Sequence, residues 1–443
     1  MLRAWRVLAL VACVGSIWPA KLWGSDDLKL GAGAAKVDIT PAAELLPFRQ
    51  ENADDSANAR EPGFVGVHDR LWARAIVVQN GSSSAAIVAL DLERVPNAEE
   101  MVRRISTASG IAAERIVVSA THTHSDPTMT VPEGGGTSAK WKTYCDVVVN
   151  GAVKAVQGAK ENLQPARIGY GTGSVDINRN NGEEPGAEPV SDKTVAVMKI
   201  ETLAGEPIAL LFNYAMHSGA AFHTMTRKDG WEISGDIVGM AAAIIENRYK
   251  DKAVALFTMA AAGDQAPQYT GHIMTPGTKE WNDLGAETWP ILHVEANSLA
   301  TEVVRVADVI DAATTEGRIW GAQTSVTCPG QKSSGSVGST NYTTESRGPV
   351  GLRLALLAIG DVAIAAIGGE IPTKIGWEIR SGSSLGKIFV VTQAGGAAGY
   401  ILQDSSYQRL THAVMSSPFK PGCIEPAILW TLRTMEQDYV AGR

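Results

Sequence analysis

Four cysteines in 443 residues are too few for a disulfide framework. Only Cys145, Cys328 and Cys423 follow Cys13, so an exported form of the chain has material for one bond and one leftover thiol. No lysine- or arginine-rich block occurs, and the net charge of −8 gives no electrostatic footprint for nucleic acid. Nucleic-acid partners are therefore set aside. No stretch rich enough in Pro, Gly or Ser divides the chain, and no second long apolar run follows the N-terminal one. What is present, 45% hydrophobic and 19% charged residues, suits a globular protein with a substantial core.

The N-terminus reads as an export signal over residues 1–24. Arg3 and Arg6 make a basic start, Val7 to Trp18 is nearly all apolar, and cleavage is expected near Ala20 or Gly24. The apolar stretch is too short to favour a membrane span. A second reading takes Leu10-Val-Ala-Cys13 as a lipoprotein-like site with an acylated cysteine. Either way the catalytic domain, 25–443, is expected to be secreted or periplasmic.

Hairpins recur along that chain. Arg74-Ala-Ile-Val-Val, the turn Gln79-Asn-Gly-Ser and Ala86-Ile-Val-Ala-Leu-Asp-Leu-Glu93 make the first, since Asn-Gly between β-branched runs signals a turn. Val195 to His217 and Leu352 to Glu370 repeat the pattern. Each second strand ends on a potentially reactive group: Asp91 with Glu93, then His217, then Glu370. Arg115-Ile-Val-Val-Ser-Ala-Thr-His-Thr-His124 and Phe257 to Asp264 end in the same way. Helical patterns lie between them at Ala98–Ser109, Cys145–Glu161, Ile237–Tyr249, Pro290–Val306 and Thr373–Ser381. The expected fold class is α/β, with mixed β-sheets and flanking helices in a single catalytic domain and the site at strand ends. The polar stretch Cys328 to Gly348 reads as a functional surface loop, a candidate lid. A second irregular stretch runs from Tyr269 to Trp289.

His122 and His124 are separated by one threonine. If the strand persists through Thr123, both imidazoles project to one face, making a half-site for a transition metal, most often zinc. The alternative is two polar residues leaving a sheet, one solvated and one capping a loop.

Ser119-Ala-Thr-His-Thr-His-Ser125 resembles the signature of the neutral/alkaline, non-lysosomal ceramidases. Gly31-Ala-Gly-Ala-Ala-Lys-Val-Asp-Ile-Thr-Pro41, Gly66-Val-His-Asp-Arg-Leu-Trp-Ala-Arg-Ala75 and Asp176-Ile-Asn-Arg179 resemble other blocks of that family. So do Asn213-Tyr-Ala-Met-His217, Ser234-Gly-Asp236, Ala262-Gly-Asp264 and Gly369-Glu370, in order, and then Tyr400 with Tyr407 and Gln408. The resemblance implies a zinc amidase that cleaves the N-acyl bond of a linear amide, with Zn²⁺ as cofactor and an N-acyl lipid as substrate. Peripheral membrane contact is a further expectation. His122, His217, Glu370 and Tyr400 fall where the family's zinc ligands lie, and His124 and Arg179 fall on positions implicated in substrate handling. Such an ion polarises a carbonyl and lowers the pKa of its water toward ~7.

The chain also departs from that pattern. Asp126-Pro127 stands where glycine-proline is usual, and Asp126 reads either as a cap on the local turn or as an acceptor orienting an imidazole. The family's serine, proposed as a catalytic or substrate-contacting hydroxyl, corresponds to Ala266, so a covalent role cannot operate there. The second tyrosine of the tyrosine block falls at His412, which reads as a donor to a developing oxyanion or as an ordinary loop residue. Longer members carry a C-terminal β-sandwich, whereas this sequence ends soon after its tyrosine block.

Other signals carry less. Gly382-Ser-Ser-Leu-Gly386 follows a helix and precedes a strand, the reverse of a nucleophile elbow. No His-Glu-x-x-His run exists. His68, His223, His272 and His293 are singletons, and Trp231, Trp281 and Trp289 read as loop packing or as an acyl-chain groove. Two rival functions stand beside the amidase. One is a metal-dependent hydrolase of another acylated or glycosidic substrate. The other is a metal-stabilised lipid- or glycan-binding protein without turnover.

Overall fold

The computed structural model describes residues 29–50, 62–130, 136–181, 190–275 and 280–443. The signal segment 1–24 and Cys13 lie outside them. Eight strands form the larger sheet: β1 (Gly31–Asp38), β2 (Trp72–Asn80), β3 (Ser83–Leu90), β4 (Ile116–Ala120), β5 (Gln164–Ser174), β6 (Thr194–Thr202), β7 (Pro207–Tyr214) and β8 (Val254–Met259). Their spatial order is β8-β7-β6-β5-β1-β2-β3-β4. A four-stranded sheet follows, in the order β9 (Ile319–Ser334), β10 (Thr343–Ile359), β11 (Val362–Ile367) and β12 (Lys387–Val391).

One unit builds both sheets. β1-β2-β3 is an antiparallel meander, α1 (Ala98–Ser109) crosses over, and β4 returns parallel to β3. The helix α2 (Ala139–Glu161) then leads to the next unit. Antiparallel β5-β6-β7, the crossover α3 (Asp236–Arg248), parallel β8 and α4 (Thr288–Val309) repeat the order. Antiparallel β9-β10-β11, the crossover α5 (Thr373–Gly382) and parallel β12 repeat it again. A short helix, α6 (His412–Ser416), is inserted before the closing α7 (Ile424–Val440). The meander-helix-strand-helix order thus occurs three times, and the three hairpins legible in the sequence are the second and third strands of each copy.

The two sheets pack face to face. Alternate residues of one face, including Ile76, Ile87 and Leu211, meet Leu357, Ile364 and Phe389 of the smaller sheet. Each such buried side chain contributes about 1.5–3 kcal/mol relative to exposure. The opposite face of the large sheet takes helices, with Val77 and Val88 packed with Val148 and Val156 of α2. Gly33 permits that approach, because a Cβ there would lie 2.2 Å from the Ala159 carbonyl oxygen.

The polar stretch 328–348 is not a surface loop. It is the distal arm of the β9–β10 hairpin, paired from Gly330↔Arg347 to Ser334↔Thr343. Its threonines, serines and glycines hide the strands because the positions buried on the β9 side, Gly330, Gln331 and Ser333, are not apolar, while the β10 side of the arm is exposed. The arm holds the tyrosine block: Tyr342 donates to the Tyr407 carbonyl at 2.5 Å, and Cys328 is disulfide-bonded to Cys423. Cys145 is the remaining thiol among the described residues, free and buried. Within Tyr269–Trp289, the described residues include the strand pair His272–Met274 and Trp281–Asp283. The segment Ser383–Gly386 is a helix-to-strand connection, as expected. No helix among the described residues is long and apolar enough to cross a membrane.

Glu295 of α4 is buried and accepts from the Tyr269 N–H at 3.1 Å, while its Oε2 has no hydrogen-bond partner. Burial, with Asp236 adding repulsion, pushes its carboxyl up to about 8. A raised carboxyl pKa means that the unfolded chain gives up this proton first. The stability it contributes is therefore complete below about pH 4.5 and is lost as pH rises toward about 8, at up to about 1.4 kcal/mol per pH unit. Glu295→Gln should flatten this slope and be the more stable form at pH 8. Urea midpoints at pH 5 and pH 8 that move in parallel in both proteins would refute it.

Candidate metal centre

The third strand of each unit ends three residues before a site position: Leu90 before Glu93, Tyr214 before His217 and Ile367 before Glu370. The fourth strand of each unit supplies its partner. His122 Nδ1 lies 2.7 Å from the Glu93 carbonyl, and His217 Nδ1 lies 3.0 Å from the Gln265 carbonyl. Gln393 Nε2 donates to Glu370 Oε1 at 3.0 Å. A carbonyl can only accept, so each Nδ1 carries its proton, and a bound cation would take the place of any proton on Nε2.

The Nε2 atoms share one small space. His122 Nε2 and His124 Nε2 are 3.2 Å apart, His217 Nε2 is 3.0 Å from Glu370 Oε2, and His122 Nε2 is 3.6 Å from the same oxygen. Tyr400 Oη lies 3.4 Å from His217 Nε2, and the backbone of Tyr400 bridges that of Glu370. The imidazoles of His122, His124 and His217 offer ligand nitrogens all within 4.8 Å of one another. Such a cluster of ring nitrogens and one carboxylate fits a divalent cation, and the two carbonyl-held imidazoles have the outer partners usual for metal ligands.

The two histidines do not converge by strand alternation. The strand ends at Ala120, and His122 adopts a left-handed backbone, φ 62°. The conformation is held from outside, by His122 N–H to the Leu92 carbonyl and His124 N–H to the Ser218 carbonyl, each at 2.8 Å. Gln393, two residues beyond its own strand, has φ 50° and is the third unit's counterpart of His122.

The charges are strongly coupled. Burial resists charge on His122, yet Glu370 and the Glu93 side chain and carbonyl lift it to about 9. Burial would raise Glu370, but His122 and His217 hold it well below the usual carboxylate range. Burial and the two neighbouring imidazoles keep His124 well below its ordinary value, so its ring is neutral at pH 7.

The remaining expected residues fall around this core. His412 begins α6, exposed, with its ring edge-on to Tyr400 at 6.2 Å. Arg179 is exposed and pairs with Ala266 in the short ladder Asn178–Asn180/Gln265–Pro267, next to the Gln265 that holds His217. Asp91 is not part of the site; it is ion-paired with buried Arg74. Trp231 and Trp289 are buried packing residues, stacked on His223 and His68, whereas Trp281 is exposed. Sequence reasoning missed Gln265 and Gln393, as well as Phe222, whose ring stands edge-on to His124 at 5.4 Å. Gln393 follows the strand Lys387–Val391 closely, so the strand-end rule applied to His217 and Glu370 would have found it.

Comparison with known proteins gives the family and the fold. The model of the neutral/alkaline non-lysosomal ceramidase N-terminal region matches residues 32–282. The chain belongs to that family. It is 29% identical over 301 residues to neutral ceramidase B of Dictyostelium discoideum, covering 60% of this chain and 40% of the relative. It is 27% identical over 297 residues to the neutral ceramidase of Pseudomonas aeruginosa, covering 60% and 41%. The matches thus span about two fifths of the length of these relatives. A solved ceramidase complexed with C2 shares the fold at TM-score 0.75 and 17% identity, over 94% of this chain and 76% of that one. The solved P. aeruginosa enzyme gives 0.74 and 19%, over 94% and 75%. The structural likeness therefore extends through the unit that supplies Glu370.

Proposed function

We propose that this ceramidase-family chain is an exported, zinc-dependent hydrolase of linear N-acyl amides. The observation that carries the reading is the meeting of His122, His217 and Glu370, one from each unit, with the Nε2 nitrogens turned inward. His122, His217, Glu370 and Tyr400 would hold the ion, which when bound supplies Lewis acidity toward an amide carbonyl and an acidified water at neutral pH. The Glu93 and Gln265 carbonyls fix the two ring tautomers, and Gln393 holds the carboxylate. His124, neutral at pH 7, accepts or returns a proton at Nε2, and it orients the reacting carbonyl from the Phe222 side. Arg179 and His412, both exposed, position the substrate and donate to the developing oxyanion. The named relatives are neutral ceramidases, which makes an N-acylated sphingoid lipid the first substrate to test.

Export rests on the N-terminal pattern and gains support from the Cys328–Cys423 bond, which suits an oxidising compartment. Ala266, where a serine is expected, favours a second reading in which the acylated substrate differs. A hydrolysis assay with short-chain N-acylsphingosine decides between them. Release of fatty acid that disappears on chelation and returns with zinc supports the first. Turnover of acyl esters or acylated sugars alone supports the second. Bound zinc with no product from any of these at high protein concentration refutes both.

A further inference from the structure

We propose that Asp126 is a positioning residue that fixes the His122 ring through the backbone of Leu92 and Glu93. It rests on the assignment of His122 as a metal ligand and adds a residue that the family resemblance leaves unexplained. Asp126 is completely buried. Its two oxygens do different work: Oδ1 accepts from Thr128 N–H at 2.8 Å and caps the local turn, while Oδ2 accepts from Glu93 N–H at 2.9 Å.

The second bond reaches the site. The peptide joining Leu92 and Glu93 is a rigid plane. Its carbonyl accepts from His122 N–H at 2.8 Å on one side, and its N–H is gripped by Asp126 on the other. The next carbonyl, that of Glu93, receives the His122 ring at 2.7 Å. Asp126 thereby sets the plane that holds His122 in its left-handed backbone and, one residue on, the carbonyl that sets its ring orientation and tautomer. A left-handed backbone is unfavourable for a non-glycine residue, so the surroundings must hold it. The second unit needs no such brace, because His217 places both its backbone N–H and its ring Nδ1 on the one carbonyl of Gln265, each at 3.0 Å.

The test compares wild type with Asp126→Ala and Asp126→Asn. Three quantities are measured: zinc affinity by competition with a chromogenic chelator, the His122 Nδ1–H resonance of the zinc-free protein, and the melting temperature. The expected result for Asp126→Ala is zinc binding weakened about 10–100-fold, the range for loss of an outer partner, with a shifted or lost ring resonance. Asp126→Asn keeps one acceptor oxygen for two N–H groups, so an intermediate effect is expected; it also serves if the alanine variant does not fold. A residue that only caps its turn would lower the melting temperature and leave affinity within twofold and the resonance in place, which overturns the proposal. Wild type that binds no zinc would overturn the metal assignment instead, and the ring resonance still decides the role of Asp126.

Discussion

His217→Ala should purify without stoichiometric zinc and without amide hydrolysis. Three interactions disappear together: the Nε2 contact with Glu370 at 3.0 Å, the contact with Tyr400 at 3.4 Å, and the bond to Gln265 that fixes the ring. Glu370 would keep only His122, at 3.6 Å, as an imidazole partner. Loss of a first-sphere donor should exceed the roughly 100-fold penalty typical of losing an outer partner. Metal analysis of dialysed protein is the deciding measurement, with a circular dichroism spectrum to establish folding. Full zinc content in the folded variant would remove His217 from the metal site.

Arg74→Met should cost about 3–5 kcal/mol of stability, the range for breaking one side of a buried ion pair. The Arg74 side chain is buried on β2; Nη1 lies 2.7 Å from Asp91 Oδ2 and Nε lies 3.0 Å from Glu246 Oε1. Burial raises Asp91 even with the guanidinium beside it, so without Arg74 two carboxylates would face a low-dielectric core. Lys36 reaches Glu246 at 2.8 Å, so it relieves only one of the two carboxylates. Asp91 also accepts from Trp72 N–H at 2.9 Å and stands two residues before Glu93, so the damage should spread toward His122. Combining Arg74→Met with Asp91→Asn and Glu246→Gln removes the orphaned charges and should recover much of the loss. Urea unfolding checks both, and a single variant within 1 kcal/mol of wild type would show that the network carries little.

What the sequence disclosed follows from what each feature needs. The hairpins were legible because a turn between two β-branched runs is a local signal, and α1 and α5 were found within a residue of their ends. The strand ends named His122, His217 and Glu370 because a polar group closing an apolar run is visible in one dimension. The distal β9–β10 arm carries no apolar alternation, because the positions it buries on β9 are glycine, glutamine and serine and its β10 side is exposed. The left-handed turn at His122 was missed because its cause lies in contacts with Leu92, Glu93 and Ser218. The orienting partners were hidden for a similar reason. Two of them are backbone carbonyls, which any residue possesses, and only the fold selects Glu93 and Gln265 for the task. Asp126 was read as either a cap or an orienting acceptor; its two oxygens make the cap and brace the peptide beside His122.

The threefold repetition has a thermodynamic consequence. His122 belongs to the first copy, His217 to the second and Glu370 to the third, so no copy presents a complete coordination sphere by itself. A cation held there as proposed would act as a reversible cross-link among the copies, recognised by the native state alone. By mass action, free ion at about 100 times its dissociation constant adds about 2.7 kcal/mol to the unfolding free energy. Chelation should then loosen the junction of the copies as well as stop turnover, so the melting temperature becomes a titration curve for the metal.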